Sequence, residues 1–123
     1  MSETVAKKIL IVEDDEFLRS LTAKRLEKED YQISIAADGE QALAALGTEK
    51  PDLVLLDLLL PGTNGFQVLE KMEKKMPVVV FSNLGQKEDI EKAKGLGADD
   101  FLIKANFTLD DVVAKVNQYL KKA

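Results

Sequence analysis

Polar groups at the ends of buried apolar runs are costly unless they have partners, and this chain places them there repeatedly. Ile9-Leu10-Ile11-Val12 runs into Glu13-Asp14-Asp15, Leu53 to Leu56 into Asp57, Val78 to Phe81 into Ser82, and Phe101 to Ile103 into Lys104. Asp57 is the hardest of these to read as ordinary surface, because Leu58 to Leu60 follow it and keep its carboxylate near a core rim. Each of the others has a plainer use alone. An acidic run commonly complements a helix dipole and caps free amides, which suits Asp15. Ser82 can serve a turn, and Lys104 can be a solvated strand-end lysine. Together they make a chemical device. Carboxylates gathered in one crevice repel one another unless a hard cation sits among them, and Mg²⁺ takes oxygen ligands while leaving room for water and a phosphate oxygen. A lysine and a hydroxyl nearby would contact the remaining oxygens of a phosphoryl group, whose transfer needs chiefly charge neutralisation and alignment. An aspartate is a competent nucleophile for making an acyl phosphate.

The elements that must position these groups alternate strictly. Apolar runs at Lys8 to Val12, Tyr31 to Ile35, Leu53 to Leu56, Val78 to Phe81 and Phe101 to Ile103 read as strands. Three of them are continuous rather than alternating, as parallel strands buried on both faces are. Helical stripes lie between and after them: Phe17, Leu18, Leu21 and Leu26; Ala42, Leu43 and Leu46; Phe66, Leu69, Met72 and Met76; Ile90, Ala93 and Gly97; and Leu109, Val112, Val113, Val116 and Leu120. Asp38-Gly39 opens the second helix and Lys50-Pro51-Asp52 closes it. Gly97 suits the position just past the fourth, and Thr108 with Asp111 resembles a capping box on the fifth. The order predicts a doubly wound α/β fold of (βα)5 type, with five parallel strands and helices on both faces, in one domain over residues 1–123 with a core of about residues 7–121. Sheets of this kind hold their ligand beyond the carboxyl ends of the strands at the topological switch point. That is where the polar residues fall.

Composition removes most other chemistry. Among 123 residues there is no cysteine and no histidine, which excludes disulfides, thiolate zinc sites, cysteine nucleophiles and histidine triads. A net charge of −5 argues against direct nucleic-acid binding, which needs a basic face to displace counterions. No membrane span is expected, since the longest apolar stretch is broken by Asp57. Met1 to Lys8 precedes an apolar run of only four residues, Ile9 to Val12, too short for a signal-peptide core. The expected location is cytoplasmic.

Over essentially its whole length the chain resembles the response-regulator receiver family, with its CheY-like, flavodoxin-like fold. The resemblance is carried by Ile9-Leu10-Ile11-Val12-Glu13-Asp14-Asp15, by Leu55-Leu56-Asp57-Leu58-Leu59-Leu60-Pro61-Gly62-Thr63-Asn64-Gly65, and by Ser82, Phe101 and Lys104 in order. It implies Asp57 as phosphoacceptor and Glu13 and Asp14 as the acid pair of a Mg²⁺ pocket. Asp14 would be the direct ligand, and the carbonyl of Leu59 the third protein ligand beside Asp57. Ser82 is implied as the switch hydroxyl, Phe101 as the switch aromatic, and Lys104 as the lysine that meets the phosphoryl group. The implied donor is a histidine kinase or histidine phosphotransfer protein. The implied output is a changed surface around the fourth helix, fifth strand and fifth helix, offered to a downstream protein.

The sequence departs from the family's pattern in four places. Leu59 and Leu84 stand where polar side chains often assist hydrolysis of the acyl phosphate. Phe101 stands where tyrosine is frequent, and Ala105 follows Lys104 where the family usually has a cis proline. Because a cis bond before a non-proline residue costs about 2.5–4 kcal/mol, the Lys104–Ala105 bond is expected to be trans, with Ala105 to Phe107 on a shifted path and Lys104 still reaching Asp57. Competing readings are weaker. A phosphate-independent receiver-like module would normally lack Asp57 or Lys104. A flavodoxin needs a Ser/Thr/Gly-rich phosphate loop where Glu13-Asp14-Asp15 stands, and a haloacid-dehalogenase-type phosphatase needs an Asp-x-Asp that the first strand does not supply. The charged fourth helix (Lys87, Glu88, Asp89, Glu91, Lys92, Lys94) could serve dimerisation or partner docking, although most such runs are solvated faces.

Overall fold

In a computed structural model, which describes residues 6–121, strands and helices alternate as β1 (Lys8–Val12), α1 (Glu16–Glu27), β2 (Gln32–Ala36), α2 (Gly39–Glu49), β3 (Leu53–Leu56), α3 (Gly65–Lys71), β4 (Val78–Ser82), α4 (Lys87–Gly95), β5 (Asp100–Ile103) and α5 (Leu109–Leu120). Most of the Met1 to Lys8 segment and the two outermost C-terminal residues lie outside the described part. All strand pairs are parallel, in the order β2-β1-β3-β4-β5. β1, β3 and β4 are buried almost throughout, as their unbroken apolar runs require. Alternate strand residues feed two cores. Leu10, Val12, Val54, Leu56 and Val80 pack with Ala42, Val68, Leu69 and Ala93 of α2, α3 and α4. Ile9, Ile11, Leu53, Leu55 and Val79 pack with Leu26, Val112, Val113 and Val116 of α1 and α5. The helices thus cover both faces.

Capping follows the sequence closely. Asp15 accepts from Leu18 N at the start of α1, Asp38 from Gln41 N at α2, and Thr108 and Asp111 form the reciprocal box at α5. Gly97 sits just past α4 with φ +113, in a region open to glycine and strained for other residues. The described residues contain no cis peptide bond, so Lys104–Ala105 is trans, and Lys104–Asn106 forms a 3-10 turn between β5 and α5.

Two helical stripes differ from expectation. Phe17 is 75% exposed and Leu21 is also exposed, while the inner face of α1 is formed by Leu18, Thr22 and Leu26. At about 100° per residue these three span roughly an 80° arc, with Phe17 on nearly the opposite side. Thr22 is buried in Leu21's stead because its hydroxyl donates back to the Leu18 carbonyl at 2.7 Å, leaving only its methyl to pack. The third stripe is cut short. α3 ends at Lys71, Met72 is already extended, and Met76, next to Pro77, reaches the first core from the following segment.

Candidate functional site

The topology reverses between β2 and β3, which flank β1 on opposite sides. In register, Val12 of β1 lies beside Leu56 of β3, so the next residues of both strands, Glu13 and Asp57, emerge side by side. Backbone bonds hold these exits: Glu13 N donates to the Ala36 carbonyl at 3.0 Å, and Asp57 N to the Val12 carbonyl at 3.0 Å. Further along the sheet, Ser82 pairs with Ile103 in register, and Lys104 follows Ile103 directly. The residues that the sequence placed at strand ends are therefore neighbours in space because the strands are parallel and their ends are aligned.

Lys104 joins them. Its Nζ lies 2.7 Å from Asp57 Oδ2 and 2.6 Å from Glu13 Oε1. Glu13 and Asp57 are each only 4% exposed, so these are buried ion pairs. Their remaining oxygens are also satisfied. Asp15 N donates to Glu13 Oε2 at 3.1 Å, and Leu59 N donates to Asp57 Oδ1 at 3.0 Å. No buried side-chain nitrogen or oxygen among the described residues lacks a partner. Burial lowers the affinity of the Lys104 amine for a proton, but its bonds to Asp57 and Glu13 outweigh this and hold it above the ordinary lysine value. Glu13 is pushed above the usual glutamate range by burial, with the Asp57 charge adding to it, although Lys104 and the Asp15 amide act in the opposite direction. The ammonium gains from the pair while the buried glutamate stays strained as an anion.

The acidic groups fit a hard divalent cation. Glu13, Asp14 and Asp57 each offer a carboxylate oxygen, all within 4.8 Å of one another, an all-oxygen donor set. The three carboxylates outnumber the single ammonium that meets them, a surplus of the sign a divalent cation offsets. The side chain of Leu59 is 49% exposed at the rim, and Leu84 is half-buried against the first core. Ser82 is fully buried, and its Oγ accepts from Leu84 N at 3.3 Å. Phe101 is half-buried against the first core, beside Val80 in register. Among the described residues no hydrogen bond joins Ser82 to Asp57, so Ser82 stands near the site without being engaged in it.

Two contributors were not legible in the sequence. Phe81 places its ring 5.8 Å from Lys104 Nζ, adding a weak cation–π contact beneath the ammonium. Inside an apolar strand it reads as core and nothing more. Arg19, in the first turns of α1, donates to main-chain carbonyls of the acid pair. Its helical spacing carries no signal of that.

A doubly wound α/β domain with an acidic, lysine-bridged crevice at its switch point is the class of protein that fold and site define. A family model of the response regulator receiver domain matches residues 9–117, and the chain belongs to that family, the receiver domains of two-component response regulators. It is 37% identical over 120 residues to the alkaline phosphatase synthesis transcriptional regulatory protein PhoP of Bacillus subtilis (strain 168), an alignment covering 95% of this chain and 50% of that protein. The chain thus spans half the length of this curated relative. Among solved structures it is similar to the BeF3-activated N-terminal receiver domain of Klebsiella pneumoniae RstA, with TM-score 0.87 and 30% identity over 94% of this chain and 100% of that one. It is also similar to a CheY-like response regulator receiver domain protein from Methanospirillum hungatei JF-1, with TM-score 0.88 and 30% identity over 94% of each chain. Among the described residues no helix is long and apolar enough to cross a membrane.

Proposed function

We propose that this receiver accepts a phosphoryl group on Asp57 from the phosphohistidine of a histidine kinase or histidine phosphotransfer protein. The observation that carries this reading is the convergence of Asp57 with Glu13, Asp14 and Lys104 at the switch point. A carboxylate oxygen of Asp57 forms the new O–P bond while the donor's N–P bond breaks, and the electron pair leaves with the imidazole nitrogen. Glu13, Asp14, Asp57 and the Leu59 carbonyl would hold Mg²⁺, which when bound neutralises phosphoryl charge and favours in-line transfer. Lys104 and the Leu59 amide engage the two oxygens of Asp57 and fix the orientation of its carboxylate. Lys104, already 2.7 Å from Asp57, then pairs with an oxygen of the new phosphoryl group. Ser82 turns its hydroxyl from Leu84 N to another phosphoryl oxygen, drawing the loop after β4 inward. Phe101 repacks into the space this opens, and the surface of α4, β5 and α5 changes for a downstream protein. The BeF3-activated form of the Klebsiella relative supports this reading, since BeF3 has the shape and charge of a phosphoryl group.

In this reading the domain is a signalling unit that catalyses only its own phosphorylation and dephosphorylation. It acts in the cytoplasm, with residues 1–123 as one receiver and without direct contact to nucleic acid or membrane. The test is intact mass after incubation with a small phosphodonor and Mg²⁺. One phosphoryl group should be added, and none in Asp57→Asn or in chelator. Undiminished labelling of that variant, or full labelling without metal, overturns the mechanism.

A further inference from the structure

Glu13 and Asp57 owe their orientation to side-chain tethers, Lys104 on both, the Asp15 amide on one and the Leu59 amide on the other. Asp14 has no such tether: it is exposed, and among the described residues its carboxylate accepts no hydrogen bond. Among the described residues, the contacts that restrain it act through its backbone. That backbone is held from α1, where Arg19 Nη1 donates to the Glu13 carbonyl at 2.9 Å and, with a longer bond, to the Asp14 carbonyl at 3.4 Å. Arg19 is in turn held by its place in α1, its own amide donating to the Asp15 carbonyl at 2.9 Å. Both bonds leave the same nitrogen, Nη1, so a lysine ammonium that reached this point could reproduce part of the contact.

We propose that Arg19 is a positioning residue for the divalent-cation site: by clamping the carbonyls of Glu13 and Asp14 it fixes the peptide that aims the Asp14 carboxylate into the crevice. The inference rests on the reading of Glu13, Asp14 and Asp57 as cation ligands. It has a sign that separates it from simple electrostatics. Arg19 carries the same charge as the cation, so deleting it should tighten metal binding if charge alone mattered. Loss of positioning should weaken it. Groups that orient metal ligands typically contribute about 10–100-fold to affinity, and a bond through the main chain of an exposed loop belongs at the low end, about tenfold.

The experiment is a titration of the whole chain with MgCl2, followed by amide NMR shifts around Glu13, Asp14 and Asp57, with melting in EDTA recorded alongside. Arg19→Ala and Arg19→Gln should bind Mg²⁺ about tenfold more weakly than the parent chain. Arg19→Lys, which keeps a donor, should recover part of the loss. Arg25→Ala removes the same charge from the same helix at a site paired with Asp110, and should not weaken binding. If Arg19→Ala does not fold in EDTA, Arg19→Gln carries the same test. Affinity in the Arg19 variants equal to or tighter than that of the parent chain overturns the proposal. A parent chain that binds no Mg²⁺ overturns the cation-site reading beneath it, a result distinguishable from failure of Arg19 alone.

Discussion

Replacing Lys104 with methionine removes an ammonium and keeps a side chain of similar reach, so its effect reports on the two buried carboxylates left behind. In the metal-free protein Glu13 and Asp57, each 4% exposed, would lose the cation that lies within 2.7 Å of both. Breaking a buried pair by deleting one partner costs about 3–5 kcal/mol. The low end of that range, about 3 kcal/mol, is expected here because Glu13 has an escape that a fixed charge lacks. Burial already holds its pKa above the ordinary 4.5, and without Lys104 it rises further, so Glu13 can take up a proton. The pH dependence follows with a definite sign. Where the folded variant binds a proton at Glu13 and the unfolded chain does not, stability increases as pH falls, by up to about 1.4 kcal/mol per pH unit, until the unfolded chain also protonates below about 4.5. The parent chain should show a shallower dependence over the same window, because Lys104 supplies the compensating charge. Urea denaturation in EDTA at pH 8 and at pH 5, just above the unfolded value of 4.5, measures both quantities, and repeating it with Mg²⁺ should return part of the loss. A variant that loses less than about 1 kcal/mol at pH 8 refutes the reasoning, as does one whose loss is the same at both pH values and indifferent to Mg²⁺.

Further outcomes follow from individual contacts. If Asp57 is phosphorylated as proposed, Leu59 and Leu84 would flank the phosphoryl group with apolar side chains that cannot orient water, so Leu59→Asn combined with Leu84→Glu should dephosphorylate faster than the parent chain; equal or slower decay of the phosphorylated mass would clear the leucines. A Cβ at Gly39 would meet the Thr63 carbonyl oxygen at 2.0 Å, whereas one at Gly47 of the same helix meets nothing within 4 Å. Gly47→Ala should therefore stabilise by about 0.5–1 kcal/mol in urea melts, and Gly39→Ala should destabilise. The Tyr119 phenol is pushed up to about 12 by burial and by its hydrogen bond to Asp100. Its contribution to stability is full below the ordinary value of 10.0 and is lost as pH rises through about 12. A phenolate absorbance titration by rapid pH jump should show a transition near 12 that Tyr119→Phe removes.

The sequence by itself determined the local order of the chain. Continuous apolar runs marked β1, β3 and β4 because both faces of a central parallel strand are covered, and Asp38, Thr108 with Asp111, and Gly97 marked helix ends because capping is a matter of a few adjacent residues. It also placed Glu13, Asp14, Asp57, Ser82 and Lys104 at strand ends, and the general position of ligands in doubly wound sheets then pointed to one crevice. The resemblance also led to the expectation that Lys104 reaches Asp57, as it does; tertiary structure alone decided the other contacts among these groups and supplied the reason for this one. The bond between Lys104 and Asp57 spans 47 residues and exists because a single strand, β4, lies between β3 and β5 in a parallel sheet with aligned ends. It decided too that Ser82 turns to Leu84 rather than to Asp57, and that Lys104, a cation of the chain's own, holds the carboxylates together. On α1 the hydrophobic pattern named Phe17, Leu18, Leu21 and Leu26; Leu18 and Leu26 do turn inward, but Thr22 joins them while Phe17 and Leu21 stay exposed, because Thr22 can satisfy its hydroxyl on the preceding turn. Arg19 was invisible for a related reason: it binds main-chain carbonyls, which every residue has, so no residue type marks its partners.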